Sequence, residues 1–391
     1  MKGEIKMKFL VIGAGMIGTT IAIDLSIDNE VTLFDKNVTV LEHIKNIGYG
    51  NIDTISGEIY DENLFRPLIM KHDVVVIALP GNMAAYVAKL ALYQNKPVFD
   101  ISSIPNNIIL DEIKKIADEN HTIYVPKMGI APGMTNFLTG RGCKDLDEVT
   151  DVKIYVGGIP EQKNAPLGYK TVFCLRETLQ EYVDDAAIIR DGQKQYVKAM
   201  SGLHDVQICG IDGLEAFITD GLATLTETIK SKNMAEYTVR WSGHTDKIKS
   251  LVEAGMMSEH IENVNGSNII PRELLVSHLE PLWKMHPELG DRDLTLFKIV
   301  IMGKKGDIQV QSVWETLVKY DEMKNITSMS KCTALVCVTF IRAWQKNLFS
   351  ADGFVFPESL ADNDLLYEYI MNTMASHGIH FEVQYSELKS Y

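Results

Sequence analysis

Up to about Ile130 the chain alternates between two hydrophobic periods. Short apolar runs rich in β-branched residues are too short to prefer a helix and read as buried strands: Phe9 to Ile12, Glu30 to Phe34, Asp73 to Leu79, Pro97 to Ile101 and His121 to Pro126, with a weaker one near Tyr49 to Ile55. Between them apolar residues recur at helical spacing over Met16 to Ser26, Leu41 to Asn46, Leu64 to Lys71, Met83 to Gln94 and Asn107 to Asn120. Six strands alternating with helices predict an α/β fold with a doubly wound parallel sheet, whose ligands belong at its carboxyl edge.

Beyond Ala131 the rhythm changes. Strand-like segments at Val152 to Val156, Thr171 to Phe173, Ala187 to Arg190, Ala216 to Thr219, Thr238 to Trp241, Leu294 to Met302 and Asp307 to Leu317 are separated by helices such as Gly221 to Ser231 and Thr245 to Ala254. The last two strands, joined by Gly303-Lys304-Lys305-Gly306, read as a hairpin. This predicts a mixed α+β domain with a largely antiparallel sheet. Met329 to Lys346 reads as one long buried helix, and Gly353 to Pro357 as a short strand returning to the first domain. The expected domains are residues 1–130 with 329–361, and residues 131–328. Residues 362–391, a helix to Ser376 and a strand His380 to Tyr385, have no assigned place.

Chemistry enters between the first strand and the first helix. Gly13, Gly15 and Gly18 have the G-x-G-x-x-G spacing: the first permits a tight turn, the second lets a diphosphate approach bare backbone, and the third lets helix and strand pack closely. Met16 and Ile17 then open the helix, whose free N–H groups face the phosphates. Asp35 ends the second strand at the spacing of a carboxylate that binds the adenosine ribose and repels a 2′-phosphate, so NAD is the expected cofactor. Lys36 beside it leaves NADP possible. Leu79-Pro80 and Ser102, at the ends of later strands, are expected along the nicotinamide half.

Composition narrows the class. The chain has 391 residues, enough for two or three domains, and a formal net charge of −14 that opposes binding to nucleic acid or to anionic membranes. The five cysteines are scattered without zinc or disulfide spacing and read as reduced thiols of a cytoplasmic protein. The N-terminus leaves no room for a signal peptide before the first strand, and no apolar run reaches membrane-spanning length. Glu273, His278, Glu280 and His286 fit no metal-site spacing, so no metal is expected.

Val125 to Asn136, VPKMGIAPGMTN, follows the last strand of the cofactor sheet and is a loop on its glycines and prolines. Thr135 and Asn136 are candidates to fix a substrate headgroup there. From this point the chain resembles a known family, the glutamate-forming saccharopine dehydrogenases with the lysine 6-dehydrogenases. The resemblance rests on Gly129 to Asn136 (GIAPGMTN), Gly157-Gly158-Ile159-Pro160, Pro166 to Lys170 (PLGYK) with Arg176 following, Glu215-Ala216-Phe217 with Thr219-Asp220-Gly221-Leu222, and Thr238 to His244 (TVRWSGH), and the matches run in family order from the first strand to about Glu358. It implies a Rossmann domain interrupted by a catalytic domain, oxidation of a C–N bond with NAD(P), and a homodimer. Saccharopine-handling members carry an aspartate where this chain has Ala131, and lysine 6-dehydrogenase-like members have alanine, which tilts the expected substrate towards lysine at its ε-amine. Saccharopine or a carboxyspermidine-type substrate is the alternative, and a non-catalytic dinucleotide sensor is the alternative of another class.

A small-molecule amino-acid substrate brings a carboxylate, which a guanidinium fork holds best, and Arg176 and Arg240 stand at expected strand ends. Lysine's ammonium must lose a proton before hydride can leave. Candidate bases are His204, Asp205, Asp220 and His244, with Lys127 if burial lowers its pKa; Asp220 and His244, lying in family-like segments, are preferred. Saccharopine's extra carboxylates would need a further cation such as Lys127 or Lys170.

Overall fold

The computed structural model describes residues 6–48, 51–102, 104 and 107–388. Tyr49, at the head of the expected third strand, and Ser103 lie outside the described residues. The chain divides into two units, Met1–Phe137 with Ser330–Met374, and Leu138–Met329 with Ala375–Tyr391.

In the first unit β1 (Lys8–Ile12) places Phe9, Leu10, Val11 and Ile12 fully out of solvent, as a parallel strand covered on both faces requires. It is followed by α1 (Met16–Leu25), β2 (Glu30–Asp35), α2 (Val38–Ile47), β3 (Ile52–Ser56), α3 (Glu62–Met70), β4 (Val74–Ile77), α4 (Gly81–Leu92), β5 (Val98–Asp100), α5 (Asn107–Glu119) and β6 (Tyr124–Val125). The strands form one parallel sheet in the order β3-β2-β1-β4-β5-β6, so the chain reverses direction across the sheet between β1 and β4. That reversal opens a ligand crevice at the carboxyl edge. The chain leaves this unit within α6 (Met134–Cys143).

The second unit contains β7 (Glu148–Pro160), α7 (Leu175–Glu181), β8 (Ala186–Arg190), β9 (Gln193–Val197), β10 (His204–Ile208), β11 (Ile211–Ile218), the single turn α8 (Leu225–Thr228), β12 (Asn233–Trp241), α9 (His244–Glu253), β13 (Glu262–Val264), β14 (Ser267–Ile269), α10 (Pro271–Trp283), β15 (Asp293–Lys305) and β16 (Ile308–Lys319). The chain then re-enters the first unit along α11 (Ser328–Gln345) and α12 (Asp364–Ser376), and ends in the second with β17 (Glu382–Leu388). The large sheet runs β10-β11-β12-β7-β15-β16-β17 and is antiparallel except where β12 meets β7. The Gly157-Gly158 pair of β7 serves packing: a Cβ on Gly157 would lie 2.7 Å from the Val239 carbonyl oxygen, and one on Gly158 2.6 Å from both Met329 and Val172.

Several expectations are corrected. Thr171 to Phe173 makes one isolated bridge, Thr171 to Lys284, and no strand. The helix expected over Gly221 to Ser231 shrinks to α8, because Ala223 sits at φ 51° and threonines crowd the rest. Gly353 to Pro357 contributes a single parallel bridge, Phe354 to Tyr124, since Gly353 at φ 107° breaks the extended run. The hairpin turn falls at Gly306-Asp307, and Gly303 lies inside β15 at a bulge against β7.

Candidate active site

The glycine loop is built by three different constraints. Gly13 has φ 104°, and a Cβ there would lie 2.2 Å from the Ala78 carbonyl oxygen; a Cβ on Gly18 would lie 2.0 Å from the Gly13 carbonyl oxygen. Both are therefore required by the turn itself. Gly15, at the N-cap of α1, has nothing within 4 Å of its would-be Cβ, and Met16 beside it is 48% exposed. This open backbone at a helix N-terminus fits a diphosphate. Asp35 fixes the rim: one carboxylate oxygen accepts the Ala14 N–H at 2.7 Å and the other the Asn37 N–H at 2.8 Å, leaving further lone pairs for ribose hydroxyls.

Along the same carboxyl edge, Leu79 is half-buried and Pro80 caps α4. The buried Ser102 hydroxyl has no hydrogen-bond partner among the described residues, an unmet capacity that suits a bound ligand. Cradle, carboxylate and orphaned hydroxyl together fit a nicotinamide dinucleotide, which Gly15, Met16 and Ile17 would hold at the diphosphate, Asp35 at the ribose and Ser102 further along.

Asp100, the last residue of β5 and fully buried, was missed in the sequence. Its carboxylate accepts the Ser102 N–H at 2.7 Å and the Tyr124 O–H at 2.8 Å. Burial raises its pKa to about 6, while the Ser102 and Tyr124 hydrogen bonds and the Lys127 charge pull the other way. Thr135 and Asn136 turn inward, each 1% exposed: the Asn136 amide oxygen accepts the Gly133 N–H at 3.3 Å and the Thr135 hydroxyl at 3.2 Å. In this structure they brace the loop.

In the second unit the expected substrate residues separate. Arg176 lies in α7 and not on a strand, 57% exposed and paired with Glu273 of α10, with Nη2 to Oε2 at 2.6 Å. It faces solvent and is taken. Lys170 is likewise paired, with Asp291 at 3.0 Å. Arg240, on β12, is 2% exposed; its Nε donates to the Tyr182 hydroxyl at 3.3 Å, Nη1 to the Val239 carbonyl at 3.0 Å and Nη2 to Glu181 at 3.4 Å, and its guanidinium lies 4.6 Å over the Tyr169 ring.

His244 is no general base in this arrangement. Its Nδ1–H donates to the Leu167 carbonyl at 2.9 Å, which leaves Nε2 to accept the Tyr182 O–H at 2.9 Å. Burial and the nearby Arg240 push its pKa down to about 3, so it stays neutral and holds the 166–168 turn in place. Asp220 is exposed and accepts the Ala187 N–H at 3.1 Å. His204 and Asp205 are exposed on β10, and the His204 Nδ1 bonds the Gly202 carbonyl at 2.7 Å.

Glu215 explains why two family segments travel together: from β11 it accepts the Thr245 N–H at 2.6 Å and the Gly243 N–H at 2.8 Å, capping α9. Around Arg240 stand two acids the sequence reading passed over. Glu236 is pushed up to about 8 by burial, against the Thr219 hydroxyl bond at 2.9 Å, and Glu181 to about 7 by burial, against the pull of Arg240. A signal existed. Glu236, Thr238 and Arg240 occupy alternate positions of one strand, a polar stripe separated by Tyr237 and Val239.

Of the metal candidates, Glu273 is held by Arg176 and His286 by Glu288 at 2.9 Å. No cluster of three metal-ligating side chains occurs among the described residues, and none of the helices searched there is long and apolar enough to cross a membrane.

Residues 9–125 match the family described as "Saccharopine dehydrogenase NADP binding domain", and residues 129–379 the one described as "Saccharopine dehydrogenase C-terminal domain". A saccharopine dehydrogenase [NADP(+), L-glutamate-forming] of Schizosaccharomyces pombe is 22% identical over 91% of this chain and 93% of its own length. The enzyme of the same name from Pyricularia oryzae is 25% identical over 64% of this chain and 58% of its own length. Among solved structures, apo saccharopine dehydrogenase (L-Glu forming) from Saccharomyces cerevisiae superposes with a TM-score of 0.80 at 16% identity, covering 97% of this chain and all of the other. A homospermidine synthase from Legionella pneumophila in complex with NAD superposes with a TM-score of 0.70 at 11% identity, covering 98% and 92%.

Proposed function

Because the chain belongs to the saccharopine dehydrogenase family of NAD(P)-dependent oxidoreductases, we propose that it interconverts saccharopine with glutamate and aminoadipate semialdehyde. The observation that carries this reading is the end-to-end similarity to the S. pombe enzyme, which spans both units. In the oxidative direction the secondary amine loses a proton and the adjacent carbon a hydride; water then adds to the resulting imine, and the C–N bond breaks to release glutamate. The bound nicotinamide supplies the hydride acceptor.

The chain's own residues do the rest. Backbone N–H groups at Gly15 and Met16 would hold the diphosphate and Asp35 the ribose, which favours NAD even though the relatives' names specify NADP(+). Arg240, buried and engaged with Tyr182, Val239 and Glu181, would anchor a substrate carboxylate only by giving up Glu181 at Nη2. Of the preferred pair, Asp220, with one oxygen still uncommitted to Ala187, is the candidate retained to take the amine's proton. We also carry forward the homodimer that the family resemblance implies; size-exclusion chromatography tests it.

A second reading, oxidation of lysine at its ε-amine, is favoured by Ala131 and by the pairing of Arg176 with Glu273 and Lys170 with Asp291, which occupies cations that saccharopine's extra carboxylates would call on. One experiment separates the two. The chain is incubated with NAD or NADP and saccharopine, lysine or carboxyspermidine, following reduced nicotinamide together with released glutamate and ammonia. Glutamate equal to the reduced nicotinamide supports the first reading and ammonia from lysine the second; no reduction with any of them overturns both.

A further inference from the structure

Asp100 does more than fill the end of β5. Its backbone carbonyl accepts the Met128 N–H at 2.8 Å, while its carboxylate holds the Ser102 N–H and the Tyr124 O–H. One residue thereby ties together the exit of β5, the strand β6 and the turn at Lys127, a non-glycine residue held at φ 54°. Such a backbone persists only where its surroundings over-determine it. Both things that Asp100 fixes, the orphaned Ser102 hydroxyl and the Lys127 turn, follow strand ends at the carboxyl edge where a doubly wound sheet meets its ligand. The fold has no need of a charge here. A buried carboxylate is unfavourable, and a neutral amide could keep its one oxygen for the Ser102 N–H and donate its own N–H to the Tyr124 hydroxyl oxygen. What the amide could not do is face Lys127 with a negative charge.

We propose that Asp100 is a positioning residue of the dehydrogenase site: its ionised carboxylate, through Ser102 and the Lys127 turn, sets the edge against which the nicotinamide end of the cofactor lies, so turnover requires Asp100 to be charged. This rests on the reading of the chain as an amine dehydrogenase. The titratable groups that face the carboxylate are Tyr124 from β6, Lys127 from the following turn and Cys337 from α11, the last a thiol that burial and Asp100 together keep protonated. Burial sets the carboxyl to titrate at about 6, within reach of an assay.

The test compares wild type with D100N and Y124F, checked for folding by thermal melting. In wild type the rate falls on the acid side with a midpoint near pH 6. D100N loses that acid limb and drops kcat about tenfold or more at pH 8, with KM for dinucleotide changed less than about threefold. Y124F keeps the limb but moves it to higher pH, because the carboxylate has lost a donor that favoured its charged form. A second readout needs no amine: the fluorescence of bound reduced dinucleotide shows a step near pH 6 in wild type, none in D100N, and a step at higher pH in Y124F. An acid limb or fluorescence step that survives in D100N, or stays in place in Y124F, overturns the proposal. If no amine is oxidised but the fluorescence behaves as stated, the substrate reading falls and Asp100 keeps its role.

Discussion

The two glycines of the cradle that look alike in the sequence have opposite reasons to be glycine. Gly18 is locked by the fold, its would-be Cβ 2.0 Å from a backbone oxygen that cannot step aside, whereas Gly15 borders open space. G18A should therefore lower stability by about 2 kcal/mol or more, seen as an earlier thermal melt without ligand. G15A should melt within about 1 kcal/mol of wild type yet bind dinucleotide at least about tenfold more weakly, since its methyl group occupies the diphosphate's approach. Equal losses of stability in the two would refute this division. Single residues of this kind were legible in advance because their constraint is local: the motif, its turn and its helix lie within one short stretch. The arginines were not. Whether a guanidinium is available depends on a partner distant in sequence, Glu273 for Arg176 and Tyr182 with Glu181 for Arg240, and nothing in the neighbourhood of either residue reveals that pairing.

At the scale of elements, the parallel sheet was readable from its alternation of periods, while the second sheet was only half visible. Two of its hairpins turn on Asp191-Gly192 and Cys209-Gly210, and the separate two-stranded β13–β14 sheet turns on Asn265-Gly266, each with positive φ at both central residues, as two-residue turns matched to strand twist require. Two of these are Asp-Gly and Asn-Gly signals that were present in the sequence. They were outweighed by flanking strands too polar to announce themselves, such as β9, four of whose five residues are charged, polar or exposed tyrosine. The strand β12 carries the opposite surprise, an acid inside. Glu236 has its folded pKa raised to about 8, from an ordinary value of 4.5. The folded state thus binds a proton that the unfolded chain has released, so this residue destabilises the protein increasingly as pH rises from about 4.5 to about 8. E236Q keeps an acceptor for the Thr219 hydroxyl and removes the charge. Its melting temperature should exceed wild type only slightly at pH 5 and much more at pH 8, where the gain is on the order of a few kcal/mol. A gain at pH 5 equal to that at pH 8 would show that something other than ionisation is at work.

For the whole molecule, the chain visits each unit twice, and the last visit is the one that sequence periodicity could not place. β17 joins the second unit as the outer strand of its sheet, in register from Gln309 with Leu388 to Glu315 with Glu382, although the preceding helix α12 lies almost wholly in the first. The sequence does show a strand here, over His380 to Tyr385, but all residues of β17 are exposed, so no buried face says which sheet it joins, and only the pairing with β16 places it. That pairing also shields the edge of β16, whose free N–H and C=O groups would otherwise invite association with other chains. Ending the chain after Phe381 should cost the second unit on the order of a few kcal/mol and promote concentration-dependent aggregation, measured by light scattering. The dinucleotide cradle from Gly13 to Ser102 lies entirely in the first unit, so affinity for reduced dinucleotide, measured below the aggregation threshold, should stay within about twofold of the full chain. A large fall in that affinity would mean that the cradle draws on the second unit, and the separation of cofactor binding from the outer sheet would have to be abandoned.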